Sequence, residues 1–229
     1  MFSVIFEVRP GDGRKDAYLE HARVLKPELE GIDGFIDNER FTSRRRPGWV
    51  LSHSTWRDEK SVIRWRTHAG HHLIQGKGRS EVFADYHLRV GEVMADSHPP
   101  DGYPIREQRF DSTEVGVAKV CTLMEMLPDR PALIASDDGV LPALGLDPRA
   151  DGLVAWDAFD SFTTPGKVLA LLSWTDARAA TDPSSGAARS RTRVVRIIRD
   201  YGMFDRRESP QYFPPARASN SGPDEEGAA

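Results

Sequence analysis

Trp65, His68, His71 and His72 stand within one short stretch of the chain. An indole offers a flat apolar wall, and an imidazole exchanges a proton near neutral pH. If one continuous helix carries the stretch, Trp65 and His72 lie almost two turns apart on one face. His68 then falls one turn before His72 on nearly the same stripe, and His71 points elsewhere. Such a face would stack a flat aromatic molecule against Trp65 while His72, or His68 in its place, takes a proton from a substrate hydroxyl. The resulting phenolate or hydroquinone anion is electron-rich enough to pass one electron to O2. The plainer alternative makes Trp65 a core residue and the histidines partly solvated helix positions. His68 and His72 also have metal-ligand spacing, yet no third ligand stands near them in sequence, so no metal is expected.

A second polar set comes from strand-like segments, where side chains alternate between two faces. Phe2, Val4, Phe6 and Val8 form one apolar face beneath helices, which sends Ile5 and Glu7 into a barrel interior. By the same alternation Asn38 sits with Arg40, His53 belongs to the set of Leu51 and Thr55, and Asp85, His87 and Arg89 oppose Tyr86, Leu88 and Val90. Asn38, His53 and His87 are the expected substrate-binding residues. Converging in the interior, they would orient an oxygenated substrate against Trp65; otherwise they are ordinary solvent-facing strand residues.

The elements that must position these groups recur. A strand over Met1–Val8 meets Pro10-Gly11-Asp12-Gly13, and Tyr18, His21, Ala22, Leu25 and Leu29 then follow at helical spacing. Gly31–Gly34 stops that helix before a hairpin over 35–42 and 49–56. Asp58 caps a helix running toward Gly76-Lys77-Gly78, and 83–93 closes the unit as a strand. The order is βαββαβ. It returns after the Pro-rich joint near His98-Pro99-Pro100, with strands expected over 115–124, 153–162, 168–174 and 192–204 and a weak helix over 131–144. Gly34 and Gly152, Trp56 and Trp174, and Asp58 and Asp176 are each 118 positions apart, which favours a duplication. Trp65 plus 118 falls on Pro183, where a regular helix cannot continue. The expected fold is therefore α+β: two tandem ferredoxin-like units pairing as a dimeric α/β-barrel-type pseudo-dimer. Residues 1–97 form the first unit, 98–110 the joint, 111–206 the diverged second unit and 207–229 an extension, disordered from about 217. One pocket per chain is expected, within residues 1–97.

With 229 residues and a formal charge of −4, the chain has no global electrostatic case for nucleic acid or an anionic membrane. No stretch approaches the length of apolar chain that a membrane helix needs. Arg44-Arg45-Arg46 reads as a solvated hairpin tip, and Gly76-Lys77-Gly78 as a helix stop. Cys121 is the lone cysteine, so there is no intrachain disulfide, and a reducing cytoplasm is the expected compartment.

Gly34-Phe35, Arg40–Ser43, Ser54–Glu59, Trp65-Arg66, His68–His72, Phe83–Tyr86 and Arg89-Val90 together resemble the antibiotic-biosynthesis monooxygenase family over about the first 95 residues. The resemblance implies a cofactor-independent monooxygenase that oxidises an aromatic or quinol-like molecule with O2. Relatives of that family degrade haem, so a non-catalytic haem- or metabolite-binding barrel is the alternative reading. In the oxygenases an asparagine one turn before the helix tryptophan, and a tyrosine shortly after it, help hold the substrate. Here Trp65 matches, Ser61 occupies the asparagine place and His71 lies near the tyrosine place. A homodimer of pseudo-dimers would extend the barrel-type association.

Overall fold

The computed structural model describes residues 1–110, 116–127, 137–180 and 190–205. The first unit comprises β1 (Phe2–Pro10), α1 (Lys15–Glu30), β2 (Phe35–Ser43), β3 (Val50–Trp56), α2 (Glu59–Thr67), α3 (Ala69–Lys77), a π-turn over Gly78–Val82, and β4 (Phe83–Asp96). The second comprises β5 (Val120–Met126), α4 (Asp137–Ala143), β6 (Leu153–Ser161), β7 (Val168–Trp174) and β8 (Ser190–Gly202). The expected break at Pro183 and the extension from 207 fall outside the described residues.

The eight strands close into one barrel in the order β1-β3-β2-β6-β7-β5-β8-β4. Each unit supplies four antiparallel strands. The seams join like to like, β2 to β6 and β4 to β8, as an isologous pair would. Closure leaves no free sheet edge.

Strand register confirms the duplication. Phe2 pairs with Trp56 in the first unit and Val120 with Trp174 in the second, both partners being shifted by 118. Gly34 and Gly152 both hold positive φ, 88° and 77°, and their carbonyls accept from Arg57 N and Thr175 N. Phe2 also pairs with Glu92, but Val120 pairs with Arg196, so the offset falls from 118 to 104. The second unit is therefore 14 residues shorter between its third and fourth strands, where the first carries α2 and α3. A vestige of the lost helix start persists: Asp58 Oδ1 accepts from Ser61 N, and Asp176 Oδ1 from Arg178 N and Ala179 N.

Two apolar layers follow from strand alternation. Ile5, Phe41, Leu51, Leu123, Phe159 and Leu171 fill the interior, each at most 2% exposed. Phe2 and Trp56 on the sheet pack against Leu29 of α1 and Val62 of α2. The interior also buries charge. Glu7 receives both Arg89 and Arg46, Arg46 Nε reaches Asp157 Oδ2 at 2.7 Å, and Arg89 Nη1 donates to Ser173 Oγ at 2.8 Å. Burial pushes the Glu7 carboxyl up, but the two guanidiniums outweigh that effect and hold it below the usual carboxylate range. Glu125 likewise takes Arg193 and Lys167.

Candidate active site

Outside the barrel, between the first unit's sheet and its helices, lies a cavity of about 210 Å³. Its floor is the helix-side face of the strands, including Val4, Phe6, Leu88 and Val90. Its roof comes from α1, α2 and α3. The helical spacing of Tyr18, His21, Ala22, Leu25 and Leu29 turns all five toward it.

Trp65 projects into this cavity from α2, but the helix does not run on. His68 is extended (φ −62°, ψ 130°), ending α2 and starting α3 in a new direction. Thr67 Oγ1 donates to the Ile63 carbonyl at 2.9 Å, which competes with helix propagation. Gly70, in the first turn of the new helix, lies against the Glu28 carboxylate of α1: a Cβ there would stand 2.2 Å from Oε2 and displace that side chain. The kink brings His71 onto the indole, with ring centroids 4.1 Å apart and planes within 11°. His71 Nδ1 donates to the Trp65 carbonyl at 2.9 Å, so Nε2 keeps the lone pair, with Gln75 Nε2 3.4 Å away. Burial, reinforced by repulsion from His68 and His72 and only partly opposed by the bond to the Trp65 carbonyl, lowers the imidazole's pKa to about 4. His71 is therefore neutral at pH 7.

The other expected site residues divide between two compartments. Asn38 lines the cavity, and its amide donates to Ser52 Oγ at 3.0 Å and the His53 carbonyl at 2.9 Å. His53 faces the barrel interior, 2% exposed, with Nε2 2.7 Å from Ser3 Oγ. Burial, then the positive charges of Arg193, Arg191 and Lys167, hold it well below the ordinary histidine pKa. His87 also faces inward, bonded to Asp200 and 3.7 Å from Glu7 Oε2. Asn38, His53 and His87 thus do not converge, because Asn38 is on the opposite face of the sheet from the two histidines.

His68 and His72 do not line the cavity. His68 still lies near Trp65, with centroids 5.9 Å apart, and its Nδ1 is 3.2 Å from Glu28 Oε2. The expected shared face of Trp65 and His72 required an unbroken helix, and the kink replaces His72 with His71. Ser61, at the asparagine place, is fully buried as a capping partner of Asp58 and packs at Gly34, away from the cavity.

Three further residues line the cavity without a role that sequence patterning assigns them. His71 was hidden by the assumption of one helix, although Gly70 marked a weak point. Arg40 was placed with Asn38 but given no role. Tyr201 comes from the second unit: β8 sets it opposite Leu88 on β4, so the pocket is not confined to residues 1–97. Only the barrel seam makes that neighbour.

A closed barrel built from two ferredoxin-like halves is the architecture of the dimeric α/β-barrel class, and here the helix-roofed pocket with Trp65 stacked on His71 lies on its outer face. Residues 1–77 match the family described as antibiotic biosynthesis monooxygenase. A curated relative, the jasmonate monooxygenase ABM of Pyricularia oryzae, is 46% identical over 222 residues, covering 94% of this chain and all of the relative. This chain belongs to the antibiotic biosynthesis monooxygenase family. Among solved structures, an aldoxime dehydratase in complex with butyraldoxime shares the fold at TM-score 0.54 and 10% identity, over 86% of this chain and 79% of that one. An anthrone oxidase-like protein aligns over 88% of this chain and 92% of its own length, at TM-score 0.35 and 12% identity. No helix among the described residues is long and apolar enough to cross a membrane.

Proposed function

We propose that the chain is a cofactor-independent monooxygenase that oxidises an aromatic or quinol-like small molecule with O2 in the pocket outside the barrel. The observation that carries this reading is the neutral His71 stacked on Trp65 inside an apolar cavity. Trp65 supplies a wall for the substrate ring, and the Nε2 lone pair of His71 accepts a hydrogen bond from its hydroxyl. Such a weakly basic imidazole aligns the hydroxyl and draws the proton as electron loss to O2 sharpens the substrate's acidity. Oxygen then adds at an activated ring methylene to give a hydroperoxide. Loss of water from the hydroperoxide leaves a ketone: the methylene carbon keeps one oxygen atom, and the other departs with both methylene hydrogens. The substrate supplies all four electrons, and no external reductant is needed.

Oxygen uptake with a panel of hydroquinones and anthrones, with incorporation of heavy-isotope oxygen read by mass, tests the proposal. Jasmonate, named for the curated relative, belongs in the same panel. H71A is expected to lower turnover more than binding. Loss of turnover in H72A but not in H71A would reject His71 as the acceptor. A purified protein with a Soret band and saturable haem binding, and no oxygen uptake across the panel, would favour the non-catalytic haem-binding alternative.

A further inference from the structure

The pocket's charge is one-sided. Arg40, Arg66 and Arg79 line it, and no aspartate or glutamate among the described residues does. Many of the fold's other guanidiniums are paired with acids, Arg44 with Asp160, Arg57 with Asp33, Arg191 with Asp96 and Arg196 with Glu92 among them. Arg40 is different. Its side-chain partner is the neutral phenol of Tyr18 and no carboxylate among the described residues pairs with it; its Nε, like those of the acid-paired Arg89, Arg193 and Arg196, is buried without a hydrogen-bond partner. Nearby on the roof, His21 Nδ1 is also buried without a partner. A guanidinium held against apolar walls with an unused donor suits a planar anion that enters with the ligand.

We propose that the substrate is an apolar carboxylate, with its body over Trp65 and its carboxylate on Arg40. This deepens the monooxygenase reading by naming the charge of the substrate at that same site. Asn38 lies two residues along β2 from Arg40 on the same face, about 7 Å away. Both its amide hydrogens are committed to Ser52 and the His53 carbonyl, which leaves recognition of the anion to the arginine. The pocket selects against neutral esters because a bound ester strips water from the partly buried Arg40 guanidinium without supplying a counter-charge.

The test is equilibrium binding by calorimetry near neutral pH, independent of turnover, using jasmonate against methyl jasmonate and 1-naphthoate against methyl 1-naphthoate. Wild type is expected to bind at least one acid about tenfold or more tightly than its ester. R40Q is expected to bring that ratio near one by weakening the acid, and R40K, which keeps the charge but not the fork, to retain part of it. Circular dichroism and thermal melting establish that each variant is folded. An acid-to-ester ratio near one in wild type, a ratio unchanged in folded R40Q, or no saturable binding by any of the four compounds would overturn the proposal. An acid preference that vanishes in R40Q, without oxygen uptake by any substrate, would uphold the carboxylate site and sink the monooxygenase reading alone.

Discussion

Replacing His71 by phenylalanine should flatten the acid side of the stability profile. The folded protein holds this imidazole at about 4, against an ordinary value of 6.5. Between those values the unfolded chain binds a proton at His71 and the folded chain does not, so stability rises with pH across the interval. The contribution is complete above pH 6.5, is lost as pH falls toward 4, and changes no further below that. A full shift of this size corresponds to at most about 3.4 kcal/mol. His71 is only partly buried, and solvent screening reduces the expected loss to about 2 kcal/mol. Phenylalanine preserves a ring for stacking on Trp65 without titrating there. It removes the donor to the Trp65 carbonyl, but His68 N still donates to that oxygen at 3.2 Å, so the H71F protein should fold. The assay is urea unfolding of both proteins at intervals from about pH 7.5 to about pH 4.5. Other buried groups, His53 included, contribute equally to both, so the difference between the curves isolates His71. Parallel curves, offset by the same amount at every pH, would refute the burial of His71 as a neutral ring.

Glu7→Gln removes the carboxylate between Arg89 and Arg46 and leaves Arg89, 3% exposed, without its counter-charge; urea unfolding at neutral pH should show a loss of about 3–5 kcal/mol. Gly34→Ala should cost at least about 1–3 kcal/mol in the same assay, because the residue holds φ +88° and its Cβ would stand 2.0 Å from Ser61 Oγ.

The strand faces and the duplication are legible in the amino-acid order without any tertiary contact. Alternation in Phe2–Val8 and in the β3 set of Leu51, His53 and Thr55 is a local property of extended backbone. The 118-residue spacing of Gly34 and Gly152 survives because each holds a positive φ beside its own hairpin. Tertiary structure alone decided which polar residues meet. Asn38 and His53 are neighbours on paired strands, yet their side chains leave opposite faces of a sheet one backbone layer thick, which separates their compartments. The position of His71 depends on the kink at His68, where α3 approaches Glu28 on α1, a contact between elements about 40 residues apart in sequence. Tyr201 reaches the pocket only through the β4–β8 seam, because barrel closure brings the second unit's last strand beside the first unit's. Periodicity assigns a side chain to a face, but packing between distant elements decides what stands across from it.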